Sequence, residues 1–310
     1  MTTRYDIIPD IHADMGRLTQ TLSALGYVAD HAAWAHPEGR IAAFLGDFID
    51  MGRANRAVLN LVRAMCDQGN AVAIMGNHEL NALLYHQPGL NADGTDDGFM
   101  RAHSSKNMAQ PQTFLDEFPV GHPDTAEMLD WFLMLPLFLD LGGLRLVHAC
   151  WDDTRVAKIL DRRPSGVLAL DDLQEIAMER DATGFAEAVL TTLKGPEAEL
   201  PAPHHFHDIK GHRRTALRLK WWQSGAMTWR DAALSVPDPE MLPATPIEGE
   251  VAFRAYAAEA KPVFFGHYKR LGSPAIDAPN AACLDYPRVI CAYSWAGETR
   301  LDPQNLILIE

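Results

Sequence analysis

Ile41-Ala42-Ala43-Phe44-Leu45-Gly46-Asp47-Phe48-Ile49-Asp50-Met51-Gly52 is a short apolar run that stops at a glycine and then sets two aspartates three residues apart. A compact run of Ile, Phe and Leu reads as a buried strand. The same arrangement recurs along the chain. Tyr5–Ile8 runs into Pro9-Asp10-Ile11-His12, and Ala71–Met75 into Gly76-Asn77-His78. Leu144–Val147 leads into His148, and Val263–Phe265 into Gly266-His267. Between the first runs lie segments of helical period. Met15, Leu18, Leu22 and Leu25 share a face closed by Gly26; Val58, Leu61, Val62 and Met65 share another closed by Gly69. Strands alternating with helices make an α/β protein of βαβ units. In such sheets functional groups gather beyond the carboxyl ends of the strands, which is where all five polar clusters fall.

Asp10 and His12 are two apart in an extended segment and so face the same side, where one cation can take both. Asp47, Asn77, His148 and His267 each follow their own strand. Carboxylate, imidazole and amide oxygen together suit a divalent ion such as Mn, Fe(II) or Zn. One Asp-x-His or one Gly-Asn-His carries little meaning, since Gly-Asn is a common turn. Five such junctions in order carry much more.

The rest of the chain is less regular. Gly89 to Asp124 reads as a long loop with one short helix near Arg101–Met108. A helix with Met128, Leu129, Phe132 and Leu133 follows and ends at Pro136. Residues 152–260 lack any strand-to-ligand junction and read as helices and loops, an insertion lying over the site within one domain spanning 1–310. The pattern returns at Pro262, and Leu284–Trp295 with Leu306–Ile309 supply closing strands.

Composition bounds the function. Hydrophobic residues make up 47% and charged residues 22% of 310 residues, ordinary for a soluble globular protein. No apolar run approaches the roughly 20 residues that cross a bilayer, and no leader precedes Tyr5, so a cytoplasmic protein with no membrane partner is expected. The net charge of −14 argues against stable nucleic-acid binding. Cys66, Cys150, Cys283 and Cys291 form no C-x-x-C pair and read as reduced thiols.

Asp10-Ile11-His12, Gly46-Asp47-Phe48-Ile49-Asp50-Met51-Gly52, Gly76-Asn77-His78-Glu79, Val147-His148-Ala149 and Gly266-His267 together resemble the calcineurin-like metallophosphoesterases, in particular the bacterial relatives of the phosphoprotein phosphatases. Leu284-Asp285-Tyr286 with the strand to Trp295 resembles the end of that domain. The resemblance implies a four-layer α/β/β/α sandwich with a helical and loop insertion. It implies two divalent metal ions, Mn2+ first with Fe or Zn as alternatives. Asp10, His12 and Asp47 would hold the first ion; Asp47 would bridge to the second, completed by Asn77, His148 and His267. A metal-bridging hydroxide would attack phosphorus, with His78 as the acid for the leaving oxygen and Asp50 bonded to its other ring nitrogen. Glu79 reads as a first-turn glutamate favoured by the helix dipole and stays outside the site.

The chain departs from that family's pattern at four places. Pro9 and Ala13 stand where glycines are usual, and Lys269 where many members carry a second histidine. Met51 stands where an arginine usually grips phosphate, with Arg53 two residues later as a candidate. The 152–260 segment offers others: Arg213 and Arg214, within a run holding Lys210, His212, Arg218 and Lys220, beside Trp221-Trp222. That run reads either as a solvated face or as a lid presenting guanidinium and indole to the substrate. The expected reaction is hydrolysis of phosphate esters or anhydrides on a phosphorylated small molecule or nucleotide, with dinucleoside polyphosphates and 2′,3′-cyclic phosphates as nucleotide candidates. A phosphoprotein substrate, and a non-catalytic metal-binding scaffold, are the alternatives.

Overall fold

The computed structural model describes residues 3–31, 33–92, 94, 97–178, 184–208, 211–223, 227–247 and 255–309. The opening apolar runs form β1 (Tyr5–Ile8), β2 (Ile41–Phe44) and β3 (Ala71–Ala73), which lie parallel in that order. On the other side of β1 two antiparallel strands from the end of the chain complete five, Ile290–Trp295 and then Leu306–Ile309. A second sheet runs Ala281–Cys283, Val263–Phe265, Arg145–Val147, Phe138–Asp140, the first three strands parallel and the last antiparallel.

Strand alternation explains why the sheets stack. Ile7, Ala43, Leu146, Phe264 and Tyr293 point to one side of their strands and meet in a single buried cluster between the sheets. Their neighbours Ile8, Ala42, Phe44, Val147 and Phe265 point the other way, into the helix-covered outer core. Helices α1 (Met15–Ala24) and α2 (Asn55–Asp67) bury Leu18, Leu22, Val58, Leu61, Val62 and Met65, the faces expected from their period. The result is the α/β/β/α sandwich.

Residues 152–260 differ from expectation. Beyond helices at Asp153–Arg162, Asp172–Met178 and Phe185–Lys194, they carry a three-stranded antiparallel sheet of Glu197–Glu199, Ala216–Leu219 and Ala233–Leu234. The signal was present but brief: Leu217 and Leu219 are buried while Ala216 and Arg218 are not, an alternation of four residues inside a charged run. The segment also packs on the second sheet. The Trp221 and Trp222 rings sit 4.8 and 4.9 Å from the Phe265 ring, and both tryptophans are buried. The indoles therefore cannot stack on a substrate, which corrects the expectation of an aromatic lid. The short helix expected near Arg101–Met108 lies at Ser105–Ala109, followed by another at Gln112–Glu117. All four cysteines are free.

Candidate metal centre

Each candidate donor lies just beyond a strand, on a turn or, for Asn77, at the first position of the following helix, and the turns carrying His12, Asp47 and His267 are strained. Seven of the nine non-glycine residues with positive φ among the described residues are His12, Ala13, Asp47, Asp50, Met51, His267 and Lys269. Such conformations cost about 1–3 kcal/mol each and persist where the surroundings over-determine them. Tight packing does so here. A Cβ on Gly46 would lie 2.4 Å from the Gly76 nitrogen, and one on Gly266 would lie 2.0 Å from Asp10 Oδ1. The glycines let three turns approach backbone to backbone and bring their side chains to one point.

At that point Asp47 belongs to two groups. Donor atoms of His12, Asp47 and His78 lie within 4.8 Å of one another, and so do those of Asp47, His148 and His267. His148 Nε2 is 3.4 Å from Asp47 Oδ1 and 3.1 Å from Asn77 Oδ1, and His267 Nδ1 is 2.7 Å from the same amide oxygen. On the other side His12 Nε2 is 3.9 Å from Asp10 Oδ2. Asp10 is buried and accepts the His267 N–H at 3.2 Å. The structure thus brings together all six residues expected from the resemblance, and it puts His78 against the first group as well, Nε2 3.6 Å from Asp47 Oδ2.

The electrostatics suit cations. Burial pushes the Asp47 carboxyl up, but the facing His148, His78 and His12 outweigh it and hold it well below the usual range. Burial pushes His148 down, yet the Asp47 and Asp10 carboxylates carry it up to about 10. Burial lowers His12 to about 3, and holds His267 well below its ordinary value. Buried His12 Nε2 and His267 Nε2 find no hydrogen-bond partner among the described residues. A neutral imidazole nitrogen without a proton donor is a Lewis base, so this donor set fits divalent ions. His148 Nδ1 is 2.7 Å from the Leu45 carbonyl oxygen and His12 Nδ1 is 3.3 Å from that of Ile49, contacts that orient the rings with Nε2 inward.

His78 and Asn77 open the buried helix α3 (Asn77–His86). The His78 N–H donates to Asp47 Oδ1 at 2.9 Å, and its ring Nδ1 lies 2.6 Å from Asp50 Oδ2. Burial lowers this imidazole, but Asp47 and Asp50 more than offset that and raise it above its ordinary value.

Other residues are placed differently from expectation. Glu79 is fully buried, and its carboxylate accepts the amides of Asp47 and Gly76 at 2.9 Å and of Phe48 at 2.8 Å. It therefore holds the Asp47 turn, a role its first-turn position concealed. Arg53 lines a cavity of about 630 Å³ with Asp10, His12, Met51, Lys269 and Asp285. Arg213 and Arg214 are exposed on a two-stranded hairpin, and Arg214 is paired with Asp208 at 2.9 Å, so that hairpin is a solvated face. Of that basic run, Arg218 is the member whose charge reaches His267; Lys210 lies outside the described residues. Asp285 was legible only as part of a closing motif. It is buried beside Asp10, where after burial it is the main influence raising that carboxyl.

The chain is 38% identical over 151 residues to the bis(5′-nucleosyl)-tetraphosphatase PrpE [asymmetrical] of Geobacillus thermodenitrificans, covering 46% of this chain and 56% of that one. It is 36% identical over 75 residues to the PrpE of Halalkalibacterium halodurans, covering 24% and 30%. A symmetrical bis(5′-nucleosyl)-tetraphosphatase of Dechloromonas aromatica matches at 30% over 105 residues, covering 34% and 31%. The chain thus spans between about a third and just over half the length of these relatives. Among solved structures, a protein serine/threonine phosphatase from Saccharomyces cerevisiae superposes with a TM-score of 0.48 at 15% identity, covering 99% of this chain and 79% of that one. The model of the calcineurin-like phosphoesterase family matches residues 3–268, and the chain belongs to that family.

Proposed function

We propose that this chain hydrolyses phosphate esters or anhydrides with two divalent cations, Mn2+ foremost, and that its substrate is a nucleotide carrying a phosphate chain. The observation that carries the reading is the Asp47 carboxylate, shared by two groups of buried donors. Asp10, His12 and Asp47 would hold one ion and Asp47, Asn77, His148 and His267 the other. When bound, the pair supplies Lewis acidity and lowers the pKa of water at the phosphorus.

The chain's own residues do the rest. His78 carries the proton for the leaving oxygen, oriented by Asp50 through Nδ1. The Asn77–His86 helix turns its N-terminus, the positive end of its dipole, toward the site. Arg53 and Lys269, in the cavity beside Asp10 and His12, take the substrate's further negative charge. In this reading residues 152–260 are an insertion within one domain, and Arg218 is the part of it that faces the site. No helix among the described residues is long and apolar enough to cross a membrane, and we infer a cytoplasmic enzyme.

The nucleotide assignment is supported by the relatives' names and by the cations at the cavity. Rates on p-nitrophenyl phosphate, its bis ester, a dinucleoside tetraphosphate and a phosphopeptide, each with Mn2+, test it. Fastest turnover on the dinucleoside tetraphosphate is expected; preference for the phosphopeptide would reverse the substrate reading. Metal uptake with no turnover on any of the four would make the protein a non-catalytic scaffold.

A further inference from the structure

Beside His78 stand three linked residues with no role in the function proposed so far, Asn81, Arg101 and Gln110. Asn81 lies one turn beyond His78 on α3, and its Oδ1 accepts Arg101 Nη1 at 3.0 Å. Arg101 Nη2 reaches Gln110 Oε1 at 3.4 Å. The Gln110 amide nitrogen in turn lies 3.1 Å from His78 Nε2 and 3.2 Å from His78 Nδ1. An atom almost equidistant from both nitrogens of one imidazole cannot lie along either in-plane direction, so this amide packs on the ring face. The Gln110 amide therefore does not occupy the in-plane direction of Nε2, along which a proton is given or taken.

Arg101 is held on a rigid support. Its own amide donates to the Leu84 carbonyl at 3.0 Å, and the amide of Met100 to Gln87 at 3.0 Å. Two residues on, the His103 ring is stacked between Tyr85 at 3.9 Å and Phe99 at 3.8 Å, and its Nε2 is 2.7 Å from the Tyr85 carbonyl oxygen. The guanidinium is therefore pinned against α3 and the Gln110 amide beside the His78–Asp50 pair, and its charge reaches the Asp50 carboxyl.

Around His78 stand three carboxylates, Asp47, Asp50 and Glu79. A departing group with its own phosphate would meet these carboxylates there, and Arg101 is the guanidinium placed beside them. A neutral alcohol would need no such cation. We propose that Arg101, set by Asn81 and Gln110, binds the phosphate of the leaving group, so that this side of the site selects phosphoanhydrides over simple esters. The proposal rests on His78 facing the leaving oxygen, as in the function proposed above. In the step concerned, the bond from phosphorus to the bridging oxygen breaks and its electron pair stays on the departing phosphate. Water's oxygen bonds to phosphorus, His78 gives its proton to the departing oxygen, and the proton lost by water restores that of His78. A guanidinium fork matches the oxygens of the departing phosphate and cannot lose its charge.

The test compares Arg101→Met, which keeps the alkyl stem, and Arg101→Lys with the unaltered protein, all loaded with Mn2+ and checked for metal content and melting temperature. Rates are read on a dinucleoside tetraphosphate and on p-nitrophenyl phosphate, and ATP, a nucleoside triphosphate product, is titrated by calorimetry. Loss of a charge-assisted contact predicts a fall in kcat/KM on the tetraphosphate of roughly 10-fold to 100-fold beyond any fall on p-nitrophenyl phosphate, with weakened ATP binding. Arg101→Lys should fall between the two. Equal losses on both substrates with metal retained, or no loss on either, would overturn the proposal. If Arg101→Met does not fold, an unchanged substrate ratio and unchanged ATP affinity in Arg101→Lys overturn it. If the unaltered protein turns over neither substrate, the hydrolase reading fails separately, and equal ATP affinity in all three proteins then sinks this one too.

Discussion

His78 Nδ1 and Asp50 Oδ2 lie 2.6 Å apart, both side chains almost wholly buried, one at the start of α3 and the other on the turn after β2. The contact fixes the imidazole so that its Nε2 faces Asp47. Asp50 spends a left-handed backbone conformation, φ 70°, to make it, and its amide is tied to Asn55 Oδ1 at 2.9 Å. A pair held this firmly orients a proton donor.

If His78 delivers that proton, His78→Asn should keep two bound metal ions yet slow hydrolysis of alkyl phosphates by roughly 10²–10⁴-fold. The loss should shrink on p-nitrophenyl phosphate, whose phenolate leaves with little help. Asp50→Asn should show the same pattern more weakly. Equal losses on both substrates, with metal intact, would mean that His78 only positions the phosphate.

Asp47 stands in both donor groups, so its removal should cost both ions where Asp10→Ala costs one. Metal analysis after dialysis should find about two equivalents in the unaltered protein and almost none in Asp47→Ala. EDTA should abolish activity and Mn2+ restore it. Full turnover in a stripped sample would sink the metal requirement.

Glu79 faces three amide donors with two oxygens. Glutamine would turn an N–H₂ group toward at least one of them and leave it unsatisfied. Glu79→Gln should therefore lower stability by about 1–3 kcal/mol and weaken metal binding through the Asp47 turn. A denaturation midpoint equal to that of the unaltered protein would return Glu79 to a mere helix-dipole role.

Trp221 packs on Phe265 and Tyr256 with no exposed surface. Trp221→Ala should cost about 3–5 kcal/mol, the usual result of emptying a large core site. An aromatic group that served substrate instead would leave the melting temperature alone and raise KM, so the two measurements separate the roles.

Local pattern was enough for much of this protein. Short apolar runs, each broken by a polar residue, located β1, β2, β3 and the strands before His148 and His267. Period 3.6 in Val58–Met65 decided which residues face a core, because side-chain direction follows from backbone geometry alone. The order of donors along the chain was legible for the same reason: each directly follows its strand. What the sequence could not decide is what meets across long separations. Glu79 grips a turn 31 residues before it, and Arg101 reaches Asn81 and Gln110 around His78. Arg218 lies near enough for its charge to reach His267 while Arg213 and Arg214 face solvent, and Trp221 turns into the core. These outcomes depend on how two sheets stack and where strained turns place their side chains. Only the tertiary structure decides them, since a glutamate, an arginine or a tryptophan has the same local preferences on either side of a sheet.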